Sequence, residues 1–311
     1  MKTCFLTWFI LSATVYFLYG QQKRETQDAM LAYKEGGVNR LLSEKMESAW
    51  NVTWQRFYLP KTRLFYDYLS SYESGKELSH LPKAEEVMRQ YPNRMGYDTG
   101  MENCMISAGV LMDMVVDRYA VTNDESLREK AFRIFEGIKL CATVHGIDGF
   151  LARGVCPEDG KSVYVTSSRD QYTYAVYGLW VYYHSQLCDQ ATKKEIREII
   201  IAIAERCLQN VVLGNNYDLL SADGKQSDHG LCKMWEVLPH EAARLPMIYA
   251  AAWDITGNEK YYHDYKKYLN LAIDQSYDLT TQSTAFPKCK FRLYCLKISK
   301  RTWNESKRWS R

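Results

Sequence analysis

A recurring helix–turn–helix unit restricts the fold of this chain more than any other feature of its sequence. The segments 117–138 (DRYAVTNDESLREKAFRIFEGI) and 253–273 (WDITGNEKYYHDYKKYLNLAI) place the same kind of polar turn between two apolar-periodic stretches. A third copy covers 174–208. Longer passages containing glycine follow two of these units, at 145–169 and 210–230. Short turns that alternate with long loops predict an all-α array of helical hairpins.

Further helices are predicted before the first hairpin from apolar residues spaced three and four positions apart. We expect a helix over 27–50, a loop rich in aromatic residues over 51–67 and a short helix over 79–90. A long apolar helix is expected to end near Tyr119. Three glycines inside predicted helices suggest places where two helices approach closely: Gly109, Gly137 and Gly178.

The two ends of the chain differ in character from the middle. Residues 1–20 combine Lys2, an apolar run and a small residue, which predicts a secretion signal and an exported, periplasmic or extracellular protein. The run is too short to predict an integral membrane domain. We interpret 21–285 as one helical domain and the basic segment 286–311 as a point where the reading frame or the domain is interrupted.

Composition excludes some functional classes. Hydrophobic residues make up 46% of the chain and aromatic residues 14%, which is ample for a sizeable core. A net charge of +3 gives no reason to expect binding to nucleic acid. Of the nine cysteines, the eight beyond Cys4 are scattered without a zinc-like spacing, so we expect mostly buried thiols, no metal and no cofactor.

Four runs together resemble the six-hairpin glycosidase superfamily: GYDTGMENC, DRYAVTNDE, GFLARGV and SSRDQYTYAVYGLWVYYHS. The resemblance covers roughly 51–277 and singles out no one family within the group. It implies an (α/α) toroid, an exported bacterial carbohydrate-active protein and an oligo- or polysaccharide substrate. The pattern accounts for fewer hairpins than a full ring, so we expect a toroid that is incomplete at its C-terminal end. We expect a monomer.

The candidate catalytic groups are carboxylates on the long loops. In the passage 149–173, Ser168 is placed to cap a helix that starts near Arg169, with Asp170 in its first turn. Glycoside hydrolysis needs a proton donor and usually a second carboxylate. We therefore expect Asp170 to act as the general acid and Asp98 or Glu102 to be its partner.

The candidate substrate-binding groups include two arginines. Arg153 and Arg169 would suit a glycan containing uronic acid, because a guanidinium binds a carboxylate with two parallel hydrogen bonds. The other candidates for contact with a substrate are Tyr97, Tyr172, Asp228, His229 and Trp235. Two alternatives stay open. One is a polysaccharide lyase that uses Tyr172 or His229 as base with Arg169, and the other is a carbohydrate-binding toroid without catalysis.

Overall fold

The computed structural model describes residues 40–282, and most of these residues are helical. Their α-helices are α1 (Arg40–Val52), α2 (Ala84–Met88), α3 (Cys104–Thr122), α4 (Leu127–Thr143), α5 (Arg169–His184), α6 (Gln190–Asn210), α7 (Arg244–Thr256) and α8 (Glu259–Gln282). A short antiparallel pair of strands, β1 (Tyr58–Leu59) and β2 (Leu64–Phe65), precedes α2. The predicted signal segment 1–20 and the basic segment 286–311 lie outside the described residues.

These residues divide into two compact units. The smaller unit contains the described residues up to Gln55 together with Asp117–Glu125. Within it, Arg118 forms an ion pair with Glu47 at 2.9 Å, and its guanidinium lies 4.8 Å from the ring centroid of Trp50. The larger unit contains the strands, the remaining helices and the long loops.

The helical hairpins form in the segments where the sequence predicts helical pairs. Asp189 is the N-cap of α6, and its side chain accepts a hydrogen bond from the backbone N–H of Thr192 at 2.7 Å. Helix α7 ends at Gly257, which has a φ of 67° and so adopts the left-handed conformation that glycine tolerates best. Both turns are set by residues next to them in sequence, and the predicted helical pairs in 174–208 and 253–273 are confirmed.

Helix α7 lies at the centre of the larger unit. It packs against α5, α6 and α8, and α4 packs against α5 and β2. Apolar residues around the whole circumference of α7 are buried: Leu245, Met247, Ile248, Ala250, Ala251 and Ile255. A helix that is apolar on all sides is expected to be surrounded by other elements rather than to face water.

Helices α3 and α5 cross closely at two glycines. A Cβ on Gly178 would lie 2.8 Å from the Cα of Gly109, and a Cβ on Gly109 would overlap the carbonyl oxygen of Tyr174. The close approach expected at these two positions is confirmed. At Gly137 the expected contact between helices is wrong, because an added Cβ there would meet the carbonyl oxygen of Arg63, in the turn between β1 and β2.

Two segments differ from the sequence-based expectation. The segment 51–67, expected to be a loop, contains a π-helical turn over Thr53–Phe57 followed by β1 and β2. The short helix expected over 79–90 is limited to α2. Strands of two residues are too short to leave an alternating pattern in the sequence, which explains why they were not predicted.

The described cysteines are buried and unpaired, as most of them were expected to be: Cys104, Cys141, Cys156, Cys188, Cys207 and Cys232. Burial raises the pKa of each of these thiols, so they stay protonated at neutral pH. Within the described residues, no helix is both long enough and apolar enough to span a membrane.

Replacing Gly109 with alanine tests the crossing of α3 and α5. Helix propensity alone predicts that Gly109→Ala stabilises the protein by roughly 0.5–1 kcal/mol. The contact with the Tyr174 carbonyl predicts the opposite sign, a loss of about 1–3 kcal/mol in the free energy of unfolding. Denaturant unfolding measures the sign directly. The control is Gly214→Ala, where the added Cβ has no atom within 4 Å and little change is expected.

Candidate functional site

Two half-buried carboxyl groups meet just before the start of α3, and we call Asp67 and Glu102 the carboxyl pair. Oδ2 of Asp67 accepts hydrogen bonds from the backbone N–H of Asn103 at 3.0 Å and from its side-chain amide at 3.2 Å. The Glu102 carboxylate accepts a hydrogen bond from the backbone N–H of Gly100 at 2.9 Å. Oδ1 of Asp67 is buried and receives no donor from the described residues.

The environment of Asp67 favours its protonated form. Desolvation, followed by the charge and the hydrogen bond of Glu102, raises the pKa of Asp67 from 3.8 to about 7, although the two donors of Asn103 act in the opposite direction. Two carboxyl groups form a hydrogen bond with each other only when one of them keeps a proton. We therefore expect the carboxyl pair to share one proton at near-neutral pH.

An aromatic face lies beside the carboxyl pair. The rings of Tyr68 and His80 stack with their centroids 4.3 Å apart, and Tyr68 is 40% exposed. The Tyr68 hydroxyl donates to the carbonyl oxygen of Asp98 at 2.9 Å, and the Asp98 N–H lies 3.4 Å from Oε1 of Glu102. Burial raises the pKa of Tyr68, and the charges of Glu102, Asp98 and Asp67 raise it further. All three carboxyl groups therefore act electrostatically on one phenol.

His80 contributes a neutral imidazole to this face. Its Nδ1 lies 3.0 Å from the hydroxyl oxygen of Ser70, and its buried Nε2 has no hydrogen-bond partner among the described residues. Desolvation lowers the pKa of His80 even though the charge of Glu102 acts in the other direction. The ring is therefore uncharged at neutral pH and offers an apolar surface rather than a cation.

The side chain of Arg153 binds the protein's own loops. It is 2% exposed, and its guanidinium donates to the carbonyl oxygens of Glu102 at 2.9 Å, Thr166 at 3.1 Å and Ser167 at 3.3 Å. It also lies over the ring of Tyr97, 4.9 Å from the centroid. The sequence-based proposal that Arg153 and Tyr97 bind substrate therefore gains no support from this geometry, in which they join loops to one another.

The first turn of α5 carries an ion-pair network. Ser168 is the N-cap residue of α5 as predicted, but its side chain makes no capping hydrogen bond. Nε of Arg169 donates to Glu241 at 2.7 Å, and Asp170 forms an ion pair with Arg244. In the part of the chain that the structure describes, no hydrogen bond or ion pair links Asp170 to the carboxyl pair. Glu102 instead acts on Asp67, whose pKa it raises.

Two aromatic candidates are buried. Tyr172 is fully buried, and its hydroxyl accepts a hydrogen bond from the backbone N–H of Leu151 at 3.1 Å. Burial raises the pKa of Tyr172 well above its ordinary value, which is unfavourable for a catalytic base. Trp235 is 8% exposed and packs edge-on against Tyr268, with the ring centroids 4.7 Å apart. We therefore place neither ring in the site.

Asp228 joins two loops instead of facing the carboxyl pair. Its carboxylate accepts hydrogen bonds from Thr166 at 2.8 Å and from Nε of Arg94 at 3.1 Å. Partial burial raises its pKa, but these hydrogen bonds and the charge of Arg94 outweigh burial and hold the pKa below its ordinary value. The next residue, His229, has a φ of 54° in the short 3₁₀ turn over Asp228–Gly230.

One concavity among the described residues lies away from the carboxyl pair. A concavity of about 260 Å³ is lined by Lys139, Asp148, Glu195 and Glu198, with other residues of the same loop and helices, and it does not include the pair. Lys139 neutralises part of its charge through an ion pair with Glu195. We place the candidate site at the carboxyl pair because a shifted pKa beside an aromatic face is the stronger chemical indication. Within the described residues, no cluster of His, Cys, Asp and Glu could hold a metal ion.

The site residues that the sequence analysis missed all make their contacts with residues that are distant in the sequence. Asp67, Tyr68 and His80 were not selected, because the segment around them carries no motif and its residues meet α3 only in the fold. The sole sequence signal was an acid between aromatic residues, in the run FYDY at 65–68. Gln171 was also missed, although its Nε2 donates to the carbonyl oxygen of Glu102 at 2.8 Å.

The titration of Asp67 predicts how stability changes with pH. The native state keeps a proton that the unfolded state releases, so the contribution of this proton is complete below the ordinary pKa of 3.8 and is lost as pH rises through about 7. The free energy of unfolding of the wild type, relative to that of Asp67→Asn, is therefore expected to fall between these two values. Denaturant unfolding at several pH values tests this. A constant difference over that range would contradict the raised pKa.

The role of Arg153 in holding the loops predicts a loss of stability on mutation. Arg153→Met leaves buried carbonyl oxygens without donors, and we expect the free energy of unfolding to fall by about 3 kcal/mol. The control is Arg197→Met, since Arg197 is exposed and makes one long contact, 3.5 Å from the carbonyl oxygen of Ile255. That control is expected to change stability by no more than about 0.5 kcal/mol. Equal effects of the two substitutions would contradict the assignment.

Comparison of the chain with protein-family models, with curated proteins and with solved structures gave no significant match. A function for the protein is therefore argued from its own residues. The groups that carry the argument are the carboxyl pair, Asp98 and the aromatic face formed by Tyr68 and His80.

Proposed function

We propose that this protein is a glycoside hydrolase whose general acid is Asp67, kept protonated by its burial and by Glu102. The observation that carries the proposal is the half-buried carboxyl pair, in which the pKa of Asp67 is raised to about 7. Cleavage of a glycosidic bond needs a carboxylic acid that still holds its proton at the working pH and gives it to the leaving oxygen. Asp67 meets that requirement, and it takes the role first expected of Asp170.

Asp98 is the carboxylate proposed to complete the reaction. Glycosidases of either stereochemistry place their two carboxyl groups roughly 5–10 Å apart, and the second group activates water or attacks the sugar. Asp98 is exposed, and its backbone is tied both to the hydroxyl of Tyr68 and to Glu102. With Asp98 in that role, Glu102 is the group that shares the proton of Asp67. Asp98 and Glu102 were both expected in the site from the sequence.

The substrate that fits this arrangement is an oligo- or polysaccharide. Sugars bind to exposed aromatic faces, and the half-exposed ring of Tyr68, supported by His80, supplies one beside the acid. Both arginines expected to bind a uronic acid are used elsewhere, Arg153 by loop carbonyl oxygens and Arg169 by Glu241. The proposed site therefore contains neither of these guanidinium groups as a partner for a sugar carboxylate.

We further propose that the helical hairpins belong to an incomplete (α/α) toroid of the six-hairpin type, in an exported monomeric protein. Support comes from the alternation of short turns, as between α7 and α8, with the long passages 145–168 and 211–243. Both members of the carboxyl pair lie in the connecting segments before α3, and connecting segments on a rigid scaffold commonly carry binding and catalytic residues.

The proposal predicts loss of turnover when the acid is replaced. Purified protein would be incubated with a panel of oligosaccharides, with new reducing ends and the absorbance of unsaturated products as readouts. We expect new reducing ends without that absorbance. Asp67→Asn should lower the rate by about 10²–10⁴-fold, the usual contribution of general acid catalysis. The control is Asp148→Asn, which changes an exposed carboxylate in the separate concavity and should leave the rate unchanged.

Three outcomes would contradict the proposal in different ways. Absorbance from unsaturated products would show a lyase, and binding of a glycan without any cleavage would show a carbohydrate-binding protein. Loss of turnover in Asp170→Asn together with full turnover in Asp67→Asn would return the acid to the position first expected from the sequence.

A further inference from the structure

Two amide side chains connect the carboxyl pair to α5. Gln171, in the first turn of α5, is fully buried. Its Nε2 donates to the carbonyl oxygen of Glu102 at 2.8 Å and to Oδ1 of Asn103 at 3.4 Å, and its Oε1 accepts from the backbone N–H of Met105 at 3.2 Å. Asn103 in turn donates from its Nδ2 and its backbone N–H to Oδ2 of Asp67. The chain of hydrogen bonds is continuous from α5 to the acid.

Only one orientation of the two amide groups satisfies every donor and acceptor in this series of hydrogen bonds. An amide offers donors on one side and an acceptor on the other, so its neighbours decide which way it points. The N–H of Met105 fixes Oε1 of Gln171, which turns Nε2 towards Asn103. With its oxygen facing Nε2, Asn103 must present Nδ2 to Asp67. Reversing either amide would bring two acceptors or two donors together.

We propose that Gln171 and Asn103 are positioning residues that make Oδ1 of Asp67 the atom that carries the shared proton. Both donors of Asn103 go to Oδ2, and Oδ1 receives none, so the proton shared with Glu102 belongs on Oδ1. As a role in catalysis this inference rests on the proposed function. As a statement about the protonation of Asp67 it stands without any substrate.

The same hydrogen bonds assist the release of the proton. When the proton leaves, the Oδ1–H bond breaks and its electron pair stays on Asp67; because Oδ1 is buried, the proton passes first to Glu102, the group that shares it. The donors of Asn103 stabilise the carboxylate that remains, because a hydrogen bond to the charged form favours that form. The other titratable groups around the carboxyl pair are Tyr68, His80, Asp98 and the buried thiol of Cys104, and neither these nor Glu102 is changed in the test that follows.

The test follows the titration of Asp67 by carbon NMR in protein labelled at the aspartate carboxyl groups. Asn103→Leu keeps the side-chain shape and removes the amide donor, so the titration midpoint should rise by roughly one pH unit. Gln171→Met removes the group that orients Asn103 and should shift the midpoint in the same direction by a smaller amount. Asp67→Asn identifies the resonance by removing it.

A matched control separates positioning from general loosening of the fold. Asn210→Leu removes an amide that donates to the carbonyl oxygen of Leu219 at 3.0 Å, and it should leave the Asp67 midpoint unchanged. An unchanged midpoint in folded Asn103→Leu, or an equal shift in Asn210→Leu, overturns the inference. Should Asn103→Leu fail to fold, Gln171→Met decides by the same criterion. Shifted midpoints with no cleavage of any glycan would uphold the positioning role and reject the hydrolase.

Discussion

The buried guanidinium of Arg153 is the interaction on which the arrangement of the long loops depends. Loop carbonyl oxygens that leave water must find donors, and Arg153 supplies them for Glu102, Thr166 and Ser167. A single side chain thus fixes the segment before α3 to the segment before α5. The positively charged guanidinium is stabilised by the carbonyl dipoles and by the face of the Tyr97 ring. These contacts hold the backbone of Glu102 in place.

Holding two carboxyl groups together has an energetic cost, and the surrounding structure offsets it. Both groups lose part of their hydration, and their charges repel once both are ionised. Hydrogen bonds from Asn103 and Gly100 limit this cost, and Gln171 keeps Asn103 in place. Residues that position another side chain in this way must themselves be rigid, which agrees with the full burial of Gln171.

The sequence predicted those parts of the fold that local residues decide. Helical periodicity and turns such as that at Gly257 depend on neighbours within a few positions, so the hairpins were predicted correctly. The raised pKa of Asp67 was not predicted, because this carboxyl group is held by Asn103, 36 positions away. Asp170, expected from the sequence to be the general acid, pairs in the fold with Arg244, 74 positions away. For the same reason the sequence suggested that Arg153 binds a ligand, because the carbonyl oxygens that accept its hydrogen bonds can be identified only in the folded chain.

The most direct measurement of the central claim is the titration of the Asp67 carboxyl group in the wild type and in Glu102→Gln. A shared proton predicts a midpoint near pH 7 in the wild type, where burial and Glu102 together hold the proton on the pair. Removing the Glu102 charge should lower the midpoint, while burial keeps it above 3.8. A midpoint near 4 in both proteins would contradict the carboxyl pair and, with it, the proposed acid.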